Sequence, residues 1–188
     1  PGPTPDPTPD PGPTDPDPEP TPDPGPDPTP DPAGMRLFVG GNGQLAGQPG
    51  LADRLRLAPA EGADAVGTPS TGVVAQATDL TGTSTGGSTQ FSLGLDAGTS
   101  VGNGTRVRVS YDLTGNGTWD RVETYHYFAT DPEPGWEQYT HDQGLQGVEG
   151  GLGDLRGGTV RVEVWNVIGT GATDLDAHRS TVTLPFTG

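Results

Sequence analysis

Sixteen of the twenty-two prolines stand in the first thirty-four residues, PGPTPDPTPDPGPTDPDPEPTPDPGPDPTPDPAG, and they restrict what that segment is able to become. Each proline locks φ and removes a backbone donor, so neither a helix nor a sheet ladder survives at this density. The expected state is a disordered linker in extended polyproline II conformation. At about 3.1 Å per residue it would reach roughly 100 Å, stiffened by mutual repulsion of its carboxylates. A tether of this kind joins two bodies. The reading therefore divides the chain into a linker, 1–34, and a module, 35–188, and expects an upstream catalytic domain in the same polypeptide.

Charge narrows the partners. The formal net charge is −16, of which eight come from linker acids and 17 − 9 = 8 from the module. Such a polyanion is repelled by nucleic acid and by anionic membrane, so neither is expected as a partner. No apolar run reaches spanning length, and membrane insertion is not expected. All nine bases are arginine, and cysteine is absent. A module of this size buries roughly two-thirds of its unfolded surface and needs no disulfide. A monomer is the expected state.

The apolar period in the module is two. Thr105–Asp112 (TRVRVSYD) places Val107, Val109 and Tyr111 on one face and Arg106 and Arg108 on the other. Trp119–Ala129 and Gly158–Ile168 alternate in the same way, as does Ser180–Phe186 through Val182, Leu184 and Phe186. Earlier runs are Arg36–Val39, Arg54–Ala58, Gly72–Leu80 and Gln90–Leu95. Alternating β-branched runs between Gly-, Pro- and Asn-rich turns predict an all-β fold, an antiparallel β-sandwich of jelly-roll or Ig-like type. The connection from Thr130 to Gly157 exceeds an ordinary sandwich turn, and long loops on rigid scaffolds often carry binding.

Asp112–Glu123, DLTGNGTWDRVE, admits two readings. Spaced as a twelve-residue calcium loop, Asp112, Thr114, Asn116, Thr118, Asp120 and Glu123 would offer oxygens to the cation, with Gly117 at the sharp turn. As a plain hairpin, Asn116-Gly117 forms a two-residue turn whose central residues take positive φ. That register pairs Asp112 with Arg121 and Tyr111 with Val122. It puts Val122, Thr124, His126 and Phe128 on the buried face and Arg121, Glu123, Tyr125 and Tyr127 on the exposed one.

Sugar rings stack their C–H faces on Trp or Tyr while Asp, Asn, Gln and Arg bind the hydroxyls. The aromatic candidates are Trp136, Tyr139, Trp119, Tyr125 and Tyr127, with Glu137, Gln138 and Asp142 as polar partners. Trp136 also suits a plug at the end of the sandwich, and Trp165 suits the core. Catalysis is not expected. Glu123, Asp131, Glu133 and Glu137 could supply a carboxylate pair, but no site motif organises them. His126, His141 and His178 lack metal-ligand spacing, and no nucleophile elbow or P-loop is present.

The stretch YDLTGNGTWDRVETYHYFATDPEPGWEQYT, followed by GDLRGGTVRVEVWN and STVTLPF, resembles the C-terminal β-sandwich modules of secreted actinobacterial polysaccharide hydrolases. The resemblance covers residues 105–186 well and 35–104 loosely. It implies a non-catalytic, carbohydrate-binding-type accessory module of an extracellular glycoside hydrolase that targets the enzyme to insoluble polysaccharide, with β-glucan or chitin as first guesses. Relatives often read Asp-x-Asp-Gly-Asp-Gly at the hairpin, where this chain has Asp112, Thr114 and Asn116. The ending LPFTG, Leu184 to Gly188, offers a rival. It has the form of a sorting signal that a transpeptidase joins to cell wall, which would make this an anchored structural or adhesive surface domain. The plainer reading ends a strand there. A ligand-free spacer is the third alternative.

Overall fold

The computed structural model describes residues 1–2, 34–50, 54–60, 72–99, 104–128, 135–140, 148 and 150–188, with backbone alone for 126–128. The linker expected over 1–34 lies almost wholly outside these residues. Among the described residues the fold is all β, with no helix. In chain order the strands are β1 (Met35–Val39), β2 (Leu45–Ala46), β3 (Arg54–Leu57), β4 (Val73–Ser84), β5 (Gln90–Asp96) and β6 (Gly104–Asp112). Then follow β7 (Arg121–Phe128), β8 (Glu137–Thr140), β9 (Leu155–Ile168), β10 (Thr173–Leu184) and β11 (Phe186–Thr187).

They form two antiparallel sheets packed as a sandwich. The first runs β2-β1-β10-β5-β8, with β3 also pairing β10; the second runs β11-β4-β9-β6-β7. Period-two alternation is what assembles the core. Phe91, Leu93 and Leu95 from the first sheet meet Val107, Val109, Tyr111, Val160, Val162 and Val164 from the second, all at most 2% exposed. Each such side chain contributes about 1.5–3 kcal/mol by leaving water. Asn166, also buried, ties the sheets by donating to the Leu57 and Ala58 carbonyls at 3.4 and 3.0 Å.

Two strands change phase midway. Along β4 the core-facing residues are Val73, Ala75 and Ala77, and after an irregularity Leu80 packs against the core. Asp79 sits in that irregularity at φ 57°, a left-handed conformation uncommon for a residue with a Cβ. Along β10, Thr173, Leu175 and Ala177 are buried; a bulge carrying the exposed His178 and Arg179 then hands the core face to Ser180, Val182 and Leu184.

The two-residue hairpin is not formed. Tyr111 pairs with Arg121, Ser110 with Val122 and Val109 with Glu123, one residue away from the expected register. Because side chains alternate, this slip reverses β7. Arg121, Glu123 and Tyr125 take the core-facing side, and Val122 is 49% exposed. The cause is Asp112, whose carboxylate accepts the N–H groups of Thr114 (3.2 Å), Asn116 (3.1 Å) and Gly117 (2.7 Å) and holds residues 113–120 as one wide loop. The Asp120 N–H closes it on the Tyr111 carbonyl at 2.7 Å. The side chains of His126, Tyr127 and Phe128 lie outside the described set.

The last strand leaves one sheet for the other. β10 ends in the first sheet at Leu184, Pro185 turns the chain, and Phe186 pairs with Ser84 in the second. Among the described residues no helix is long and apolar enough to cross a membrane.

Candidate functional site

The sequence R-L-R-L in β3 and D-L-D in β10 are complementary two-period strands. Leu55 and Leu57 turn to the core, Leu175 meets Leu55, and the charged residues between them share the outer face. Register places Arg56 beside Asp174 and Arg54 beside Asp176, with Asp96 and Gly94 next along on β5. Arg54 reaches across β10. Its guanidinium lies 3.2 Å from Asp174 and 3.9 Å from Asp96, and it stacks over the Trp136 ring with 4.9 Å to the centroid. Arg56 completes the group at 3.4 Å from Asp174.

The neighbouring side chains are fixed too. Asp96 accepts the Gly98 N–H at 2.9 Å and the Gly135 N–H at 3.3 Å, which pins the chain just before Trp136. Gln138 donates to the Ser92 hydroxyl and to the Arg179 carbonyl, each at 2.8 Å. Arg179 pairs with Asp176 at 3.5 Å. A Cβ on Gly94 would come within 2.7 Å of the Arg179 Cβ, so only glycine admits the bulge at this point. The outcome is a firm polar platform on the outer face of the first sheet, with one half-buried indole and both donors and acceptors around it. Exposed ion pairs contribute only about 0–1 kcal/mol each, so their main effect here is orientation rather than stability.

The other aromatic candidates lie elsewhere. Tyr139 packs against the core, its hydroxyl on Glu137, because strand alternation in β8 turns it away from Gln138. It does not share a face with Trp136, and the expected pair of contacts on one loop is not assembled. Tyr125 also packs against the core, from β7. Trp119 is 38% exposed in the β6–β7 loop of the second sheet. The side chain of Tyr127 is outside the described set. Trp165 is buried at 2% exposure, yet it belongs to the outer side of the second sheet, under Arg106 and Arg108 at 5.8 and 5.5 Å. Beside it Glu163, 1% exposed, is held by Arg108 at 2.5 Å and Arg161 at 2.6 Å. At 2% exposure this ring offers no surface to a ligand, whereas Trp136 is only half-buried.

All six residues of the calcium reading lie in the described loop and the start of β7. Asp112 is 2% exposed and both its oxygens already accept backbone N–H groups. Asp120 accepts the Leu113 N–H at 2.7 Å and Asn116 that of Thr118 at 2.8 Å; Thr114 and Thr118 are exposed. Glu123 pairs with Arg121 at 2.5 Å on the core-facing side of β7, whereas Asp112 follows Tyr111 onto the opposite side. Among the described residues no three histidine, aspartate or glutamate side chains converge as a metal group. Burial pushes the Asp112 carboxyl up, but the Gly117, Asn116, Thr114 and Gly115 amides outweigh it and hold the group below its ordinary range. Of the acids considered for catalysis, Glu123 pairs with Arg121, Glu137 bonds the Tyr139 hydroxyl, and Asp131 and Glu133 lie outside the described residues, as do Asp142 and His141.

Sequence reasoning reached Trp136 and Gln138 but missed Arg54, Arg56, Asp96 and Asp174. The available signal was the matched alternation of arginines in RLRL and aspartates in DLD, which points to neighbouring strands.

No family model and no curated protein matches the chain. Solved structures do, and what they share with it is the β-sandwich fold. A CocE/NonD family hydrolase from Staphylococcus aureus superposes with TM-score 0.57 at 11% identity, over 82% of this chain and 36% of that one. A second crystal structure of the same hydrolase gives TM-score 0.50 at 12% identity, with the same coverage. At these identities the likeness is one of fold. The chain spans about a third of the length of the structures it matches.

Proposed function

We propose that this chain is the non-catalytic accessory module of a larger secreted hydrolase and holds that enzyme against polysaccharide. The observation that carries the reading is the platform around Trp136: an indole oriented by Arg54, with Asp96, Asp174 and Gln138 fixed beside it. An amphipathic ring framed by hydrogen-bonding groups matches a pyranose, whose C–H face is apolar and whose rim is hydroxyl. The likeness of the fold to part of a longer hydrolase chain supports the accessory role. Targeting raises effective substrate concentration without adding chemistry, and moderate affinity suffices for it.

The test is retention of the full chain on insoluble β-glucan, xylan, mannan, chitin and α-glucan, beside Trp136→Ala. Selective retention on one polymer, lost in the variant while its sheet signal is intact, supports the reading. A folded protein that passes through every polymer would leave a spacer or stalk as the better account.

A further inference from the structure

On the Trp136 platform, and resting on the glycan reading just given, we infer that Asp96, Asp174 and Asp176 set specificity: they reserve the face for a neutral polysaccharide and reject anionic ones. Three arginines reach this face, and each meets a carboxylate. Arg54 faces Asp174 and Asp96, Arg56 faces Asp174, and Arg179 faces Asp176. An arriving uronate or sulfate therefore finds each arginine already compensated by a carboxylate, and it approaches a module that carries eight net negative charges. Discrimination of this kind rests on a repulsive element as much as on an attractive one.

A neutral ring meets the opposite situation. Aspartate oxygens and the Gln138 carbonyl accept from hydroxyls, guanidinium N–H groups donate to them, and the indole takes the C–H face. The carboxylates are little exposed, with side chains at 18% for Asp96, 13% for Asp174 and 21% for Asp176, whereas Arg54 and Arg56 stand at 56% and 71%. The aspartates thus form the fixed floor and the arginines the reach. Removing a single floor charge should leave Arg54 and Arg56 under-compensated and turn the platform toward anions.

The experiment compares the full chain with Asp174→Asn and Trp136→Ala on two insoluble polymers, a neutral β-glucan and a cross-linked polyuronate, at low and high salt. Circular dichroism confirms the fold of each variant. The wild type should prefer the neutral polymer by at least about tenfold and bind it independently of salt. Asp174→Asn should lose that preference and gain polyuronate retention that salt abolishes, while Trp136→Ala should lose the neutral polymer. A wild type that prefers polyuronate overturns this inference and leaves the glycan reading standing. An Asp174→Asn variant with unchanged preference overturns it as well. A folded wild type retained by neither polymer, and by no member of the wider polymer panel above, overturns both.

Discussion

Tyr111 combines apolar packing with a buried side-chain hydrogen bond. Its ring is fully buried and lies 6.0 Å from Phe186, while its hydroxyl bonds Thr89, itself 1% exposed. Burial drives that hydroxyl far above the ordinary phenol range, despite the Thr89 bond and the nearby Arg121 charge. Tyr111→Phe strands the Thr89 hydroxyl without its side-chain partner and should cost about 1–3 kcal/mol in urea unfolding. Adding Thr89→Val should recover most of that loss, because both polar atoms then leave together. A double variant no more stable than Tyr111→Phe would show that the bond does not carry the effect. Asp112 supplies a second residue-scale expectation. Its folded pKa is depressed, so its contribution is fully present above its ordinary value near 3.8 and is lost as pH falls through the lower folded value. Asp112→Asn should flatten acid unfolding in that window, and an unchanged acid profile would count against the loop-closing role. Calcium should not shift the melting temperature, since Glu123 stands on the opposite side of the sheet from Asp112; a reversible, EDTA-sensitive rise would contradict this.

At the scale of elements, irregularities decide how the alternation is used. In β4 the residue at the phase change is Asp79, held at φ 57° and exposed. A left-handed residue costs an L-amino acid roughly 1–2 kcal/mol, less for aspartate and most for a β-branched one. Asp79→Val should therefore destabilise the chain by about 1–2 kcal/mol, and Asp79→Gly should be neutral or stabilising. Equal stability of the two variants would remove backbone strain as the explanation. These bends also mark where the sequence stops being readable. Strands β1, β3, β5, β6 and β9 follow from alternating apolar residues, and the sandwich follows from them. The first half of β10, TDLDAHR, does not, because its inward positions are Thr173, Leu175 and Ala177 and a bulge then reverses the phase. β7 was misread for a related reason: Asn116-Gly117 is a strong turn signal, yet the Asp112 carboxylate outcompetes it by collecting three N–H groups. Trp136 was legible as an aromatic of the long connection, suited either to a sugar contact or to a plug at the end of the sandwich. Its setting was not, since Arg54, Asp96 and Asp174 are far apart in sequence and meet only through sheet register.

For the molecule as a whole, the informative segment is the last one to pair. LPFTG reads in sequence either as a sorting signal or as a strand end, and in the fold it is built into both sheets. Leu184 and Phe186 are fully buried, Thr187 pairs with Thr83, and Pro185 marks the crossing between them. A transpeptidase needs that peptide extended and open, so the folded chain withholds it. Cleavage would require β11 to leave the sandwich with Phe186, exposing an aromatic ring together with its packing against Tyr111. Phe186→Ala keeps the Leu-Pro-x-Thr-Gly pattern while removing the ring, at a cost of about 3–5 kcal/mol. Incubated with a transpeptidase that accepts the pattern, the wild type should resist cleavage and the variant should be cut faster, in step with its greater local opening. Rapid cleavage of the wild type under conditions where its Tyr111 core remains intact would mean that β11 detaches on its own. The segment would then regain its claim as an anchor.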